Sequence, residues 1–232
     1  MITKASVVVS VARSQESSST ESSSTELSAP SPEPSAQYFD AEPTVQSERK
    51  QVELTLPDLQ LSFTTDRGVF SAGGVDSGTK LLLLDGPGPI TSDRVLVDVG
   101  AGYGPIALAL AKRNPDAQVW AVEVNGRARD LCAENAEANG LANVRVVSPD
   151  DVPDDLLVDR LWSNPPVRVG KAAMHELLDG WLARLSPTGS AHLVVQKHLG
   201  ADSLHKRLEG LGWDVNRRAS RKSFRLLDVM HR

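Results

Sequence analysis

At 232 residues the chain has room for one domain with a sizeable core and not for two large ones. Its 40% apolar and 24% charged residues are ordinary for a globular protein, and aromatics are scarce at 4%. A single cysteine, Cys132, excludes an internal disulfide framework and suits a reducing, cytoplasmic compartment. The net charge of −5 is uneven: from Lys197 to the end, nine Lys and Arg face four acids, a local +5 on a remainder of −10. Such an end suits a polyanion or a salt-bridged surface.

No apolar run reaches the roughly 18 residues of a membrane span. The stretch from Ala5 to Ala12 after Lys4 is too short, and too interrupted by Ser10, for an export signal. Residues 1–35 are dominated by Ser, Thr, Glu and Pro; with almost nothing to bury, this tail is expected to be disordered. Alternation in Val52–Leu56 and Leu59–Phe63 around Pro57-Asp58 predicts a β-hairpin. Gly78-Thr79-Lys80 with Leu81–Leu84 reads as a short helix closed near Asp85-Gly86. Strands are predicted at 94–99, 118–124, 144–147, 158–163, 191–196, 213–218 and 224–230. Between them lie helices at 105–112, 127–139, 171–185 and 201–211, with Gly140 as a C-terminal cap and Ser186-Pro187 as a stop. This alternation implies an α/β fold: a mostly parallel seven-stranded sheet with helices on both faces and an antiparallel edge hairpin, plus the short N-terminal β-hairpin. The domains are then the tail (1–35), the hairpin and its following segment (36–90), and the core (91–232).

The first core strand runs into Asp98-Val99-Gly100-Ala101-Gly102-Tyr103-Gly104-Pro105. Alternate glycines allow a sharp turn and close approach of a ligand. Gly104 comes one place too early for the dinucleotide fingerprint. Asp98 adds a carboxylate that would repel a pyrophosphate and favour an ammonium or sulfonium. Glu123, at the end of the second strand, is placed to accept from a ribose diol. After the third strand, Asp150 or Asp151 is a candidate acceptor for an adenine amino group.

After the fourth strand comes Asn164-Pro165-Pro166-Val167-Arg168. The prolines fix the backbone and remove two donors. The Asn164 side-chain oxygen and the Pro165 carbonyl form an acceptor pair able to hold the two hydrogens of an aniline-like amine out of the ring plane. That frees its lone pair for an incoming methyl, a task of positioning rather than strong base catalysis. No metal is required.

The glycine turn, Glu123 and Asn164-Pro165-Pro166 together resemble the small-methyltransferase-domain family, a Rossmann-like class I group using S-adenosyl-L-methionine that includes ribosomal RNA guanine-N2 methyltransferases. The likeness covers residues 37–232 and extends to Gly68–Ser71 and Asp76–Thr79, a stretch that in the family helps close over the cofactor. It implies Phe70, Gly78 and Thr79 as cofactor contacts, Asn164, Pro165 and Pro166 as catalytic elements, Val167 and Arg168 as substrate contacts, and RNA as partner. Family members acting on bases carry an aromatic residue after the second proline; Val167 departs from that, leaving stacking to another group such as the Arg168 guanidinium. Three alternatives are methylation of adenine N6 or a protein glutamine amide, a non-catalytic cofactor- and RNA-binding module, and a dinucleotide oxidoreductase. The Gly104-Pro105 spacing disfavours the last.

Overall fold

The computed structural model describes residues 45–165, 170–221 and 223–232; the serine-rich tail at 1–35 lies outside them. The hairpin pairs β1 (Lys50–Thr55) with β2 (Gln60–Thr65), turning Leu54, Leu61 and Phe63 inward. There follow α1 (Ser77–Asp85), β3 (Val95–Val99), α2 (Pro105–Arg113), β4 (Gln118–Val122) and α3 (Gly126–Ala138). The chain continues through β5 (Val144–Val147), β6 (Val158–Ser163), α4 (Lys171–Leu182) and β7 (Leu185–Gln196). It closes with α5 (Ala201–Gly210), β8 (Asp214–Arg221) and β9 (Phe224–Met230).

Seven strands form one sheet in the order β5-β4-β3-β6-β7-β9-β8. Strands β3 to β7 are parallel; β9 runs antiparallel to β7, and β8 to β9. This is the expected α/β class with its antiparallel edge. Side chains alternate across the sheet, so Leu96, Trp162, Val194 and Leu226 pack against α1, α2 and α3. Val97, Leu161, Leu193 and Leu227 meet α4 and α5 on the other face. Helix α2 is buried from Pro105 to Ala111 because the sheet lies on one side and the hairpin on the other, which explains its unbroken apolar run.

The hairpin is fastened to α3 by two carboxamides. Asn135 accepts the Thr64 N–H at 2.7 Å and donates to its carbonyl at 2.9 Å; Asn139 makes the same pair with Ser62 at 3.3 and 2.8 Å. Residues 62 and 64 alternate along β2, so these side chains satisfy the outer edge as a third strand would.

Several boundaries depart from the sequence pattern. Helix α4 ends at Leu182, and β7 begins at Leu185 and runs through Pro187, with a register shift against β6 between Val158 and Arg160. Pro187 thus sits in an irregular strand opening rather than at a helix stop. Gly189 permits it: a Cβ there would lie 2.8 Å from the Val158 carbonyl oxygen. Strand β4 ends at Val122, because Glu123 turns its side chain back to the glycine turn.

Candidate active site

From β3 the sheet grows outward through β4 and β5, then resumes on the other side of β3 with β6. That switch point, at the carboxyl ends of the parallel strands, is where such sheets bind ligands. A cavity of about 570 Å³ opens there, bordered by Gly100 and Gly102 after β3, Glu123 after β4, and Asn164 and Pro165 after β6. The Ser163 hydroxyl donates to the Val99 carbonyl at 2.7 Å, clamping the end of β6 to the end of β3 and setting Asn164 beside the glycine turn.

Four of the five N–H groups from Gly100 to Gly104 already have acceptors within the protein, which leaves little for a phosphate. Gly100 and Ala101 donate to Val122, Gly102 donates to Glu123 Oε2 at 2.8 Å, and Gly104 donates to Ala101. Pro105 opens α2 without an N–H, and the Ala107 N–H donates to Asp98 Oδ2 at 2.9 Å. An internal carboxylate therefore occupies the helix terminus that a dinucleotide fold offers to pyrophosphate. Burial pushes the Asp98 carboxyl up to about 8, the Ala107 N–H opposes this, and the nearby charge of Glu123 adds to it. Burial also raises Glu123, against the N–H groups of Asn125 and Gly102 that hold it down. Of these two carboxyls only Glu123 borders the cavity, where its oxygens can accept hydrogen bonds from a ligand. Gly102, at φ +58°, is cut out for close approach: a Cβ there would meet no protein atom within 4 Å and would project into open space.

The Asn164 carboxamide is held by α1. Its Nδ2 donates to Asp76 Oδ2 at 2.9 Å and to Thr79 Oγ1 at 3.1 Å, leaving Oδ1 without a partner among the described residues. Asp76 is the N-cap of α1, accepting from the N–H groups of Gly78 at 2.7 Å and Thr79 at 3.2 Å.

The sequence-predicted site residues do not all reach the cavity. Phe70, Gly100, Gly102, Glu123, Asn164 and Pro165 line the cavity, and Thr79 lines a small recess beside it. Asp98, Gly78 and Gly104 lie behind its wall. Asp98 faces α2. A Cβ on Gly78 would strike the Phe224 ring at 2.8 Å, and one on Gly104 would meet Leu108 at 2.7 Å and Cys132 at 2.8 Å. Both glycines serve packing. Asp150 and Asp151 sit in an exposed 3-10 turn of which only Pro149 reaches the cavity; Asp151 accepts from the Ser148 hydroxyl at 2.6 Å. Pro166, Val167 and Arg168 lie outside the described residues.

Sequence reasoning missed Asp76, Ser163 and Gln196. An Asp directly before Ser-Gly-Thr is an N-cap signal that could have marked Asp76. Leu177 and Trp181 line the cavity from α4, and Gln196 and His198 from the end of β7. The basic C-terminal stretch is largely salt-bridged: Arg217 pairs with Asp202 at 2.7 Å, Arg218 with Asp228 at 2.8 Å and Arg221 with Asp85 at 3.0 Å. Among the described residues, no group of three His, Cys, Asp or Glu is arranged to hold a metal ion, and no helix is long and apolar enough to cross a membrane.

Comparison with known proteins agrees with this geometry. The family model for the methyltransferase small domain matches residues 60–228. The chain is 34% identical over 196 residues to the Bacillus subtilis (strain 168) uncharacterized protein YbxB, covering 83% of this chain and 97% of that protein. It is 33% identical over 150 residues to ribosomal RNA small subunit methyltransferase C of Shewanella amazonensis, covering 63% of this chain and 43% of that one. Among solved structures, the T. thermophilus 16S rRNA N2 G1207 methyltransferase, in complex with AdoMet and guanosine, superposes with a TM-score of 0.65 at 26% identity. That match covers 82% of this chain and 52% of the other. The chain thus spans about half or less of the ribosomal RNA methyltransferases it matches. Because the matched segment runs from β2 to β9 and contains every wall of the cavity, the chain belongs to the methyltransferase small domain family: it is an S-adenosylmethionine-dependent methyltransferase.

Proposed function

We propose that the protein methylates an exocyclic amino nitrogen, guanine N2 of ribosomal RNA. The observation that carries this reading is the fixed Asn164 carboxamide. With its nitrogen committed to Asp76 and Thr79, its oxygen is the prong left to accept. With the carbonyl of Pro165, it can take both hydrogens of an amine attached to an aromatic ring. Holding those hydrogens aside frees the nitrogen lone pair for attack. S-adenosylmethionine, when bound, supplies an electrophilic methyl on a sulfonium. We assign Glu123 to the ribose diol: it borders the cavity, and its carboxylate keeps acceptor capacity beyond the N–H groups of Gly102 and Asn125. Asp150 or Asp151, in the exposed turn beside Pro149, would have to swing inward from the cavity edge to accept from the adenine amino group. Phe70, half exposed at the cavity lip, and Trp181 supply the aromatic surface that Val167 does not. Choice of guanine and of ribosomal RNA is supported by the named relatives of the same family.

The test is transfer of labelled methyl to ribosomal RNA from cells lacking the protein, followed by nucleoside mass spectrometry. N2-methylguanosine is the expected product. N6-methyladenosine, label in protein, or no label would refute the proposal.

A further inference from the structure

We infer that Gln196 is the residue that distinguishes guanine from other amino bases, a step that rests on the guanine-N2 reading. Gln196 ends β7 and pairs with Phe224 across the antiparallel ladder, so both side chains emerge on one face of the sheet. It is the face on which the Phe224 ring lies against Gly78 at the start of α1. Asn164 reaches the same helix start through Asp76 and Thr79. The two carboxamides therefore border one end of the cavity, opposite the wall formed by Glu123 and Pro149. Asn164 is fully committed on its nitrogen side, whereas the Gln196 carboxamide has no hydrogen-bond partner among the described residues and lines the cavity.

Its backbone is fixed. The next residue, Lys197, donates its N–H to the Ser223 carbonyl, and Gly200 closes the following 3-10 turn onto the Lys197 carbonyl. A polar group on a pinned strand end is suited to reading a ligand edge.

The pattern it can read follows from its atoms. A carboxamide offers one acceptor and one donor side by side. Next to its amino group, guanine presents the N1 hydrogen and then the O6 acceptor. With the amino hydrogens on Asn164 Oδ1 and the Pro165 carbonyl, Gln196 Oε1 takes the N1 hydrogen and Nε2 donates to O6. Adenine, with a bare N1 beside its amine, could accept from Nε2 once the carboxamide flips, but its C2–H leaves Oε1 without a partner, one hydrogen bond fewer than guanine makes.

The experiment uses the full chain on ribosomal RNA from cells lacking the protein, comparing wild type, Gln196→Ala and Gln196→Glu. Glutamate keeps the acceptor for N1–H but cannot donate to O6. Both variants are expected to lose about 10–100-fold in kcat/KM for N2-methylguanosine, the discrimination typical of a bidentate base contact. S-adenosylmethionine affinity should stay within about twofold, and background N6-methyladenosine should not fall in parallel. A kcat/KM within about threefold of wild type in both variants overturns the assignment and leaves the guanine reading intact. A parallel fall in cofactor affinity shows a merely structural role and also overturns it. If wild type makes no N2-methylguanosine, the guanine reading fails first and this inference with it.

Discussion

Replacing Asp76 with alanine separates a helix cap from a catalytic support. One oxygen of Asp76 accepts the N–H groups of Gly78 and Thr79 and the Asn164 amide. Loss of an N-cap acceptor costs about 1 kcal/mol, within a range of roughly 0.5–2. In a domain of this size each kcal/mol lowers Tm by about 2–4 °C. The bond to Asn164 is charge-assisted, worth about 1.5–3 kcal/mol, and its loss leaves Thr79 Oγ1 as the sole anchor of the carboxamide among the described residues. If that orientation matters only when the amine is being aligned, the loss falls on kcat, at roughly tenfold per 1.4 kcal/mol, or about 10–100-fold. Asp76→Asn retains an acceptor oxygen and is expected to recover most of the stability and part of the rate. The measurements are thermal unfolding and single-turnover methyl transfer with saturating cofactor. A variant that loses Tm but keeps its turnover would reduce Asp76 to a cap and remove its role in orienting Asn164.

Glu123→Ala is expected to weaken cofactor binding by about 1–3 kcal/mol, the cost of unpaired polar groups, as measured by calorimetry; unchanged affinity would place the ribose elsewhere. Asp98 binds its proton more tightly folded than unfolded, so its contribution to stability is full below about pH 4 and is lost as pH rises towards about 8. Asp98→Asn has no such proton and can still accept from Ala107. Its stability relative to wild type should therefore climb through that window, by at most about 1.4 kcal/mol per pH unit; parallel urea-denaturation profiles at pH 5 to 8 would contradict this. Because Asp202 and Asp85 already neutralise Arg217 and Arg221, replacing both arginines with glutamine should change RNA affinity by less than about threefold in filter binding. A much larger loss would mean that these guanidiniums exchange carboxylate for phosphate on binding.

The parts of the site written in short contiguous stretches were legible in the sequence. Gly100 and Gly102 follow a strand directly, and Asn164-Pro165 follows another, so strand ends plus residue chemistry were enough to bring them to one crevice. Contacts between distant segments were not legible. Asp98 and Gly104 sit in the same motif but face away from the cavity: Asp98 accepts from Ala107 in α2, and Gly104 packs against Leu108 and Cys132. Asp76 meets Asn164 across 88 positions, and nothing in either neighbourhood encodes that pairing. The start of β7 was hidden for a different reason: Ser186-Pro187 carries turn chemistry, yet the bulge against Val158 absorbs it inside a strand. In the C-terminal stretch, net charge alone favours a salt-bridged face over a polyanion face but names no partners; Asp85, Asp202 and Asp228 come from other elements.

The most direct test of the account is methyl transfer by Asn164→Ala with cofactor affinity measured in parallel. Loss of an acceptor that aligns the reacting amine predicts a fall in kcat of at least about 100-fold, the scale of catalytic misplacement, while S-adenosylmethionine binding stays within about twofold. Turnover close to wild type in that variant would contradict it.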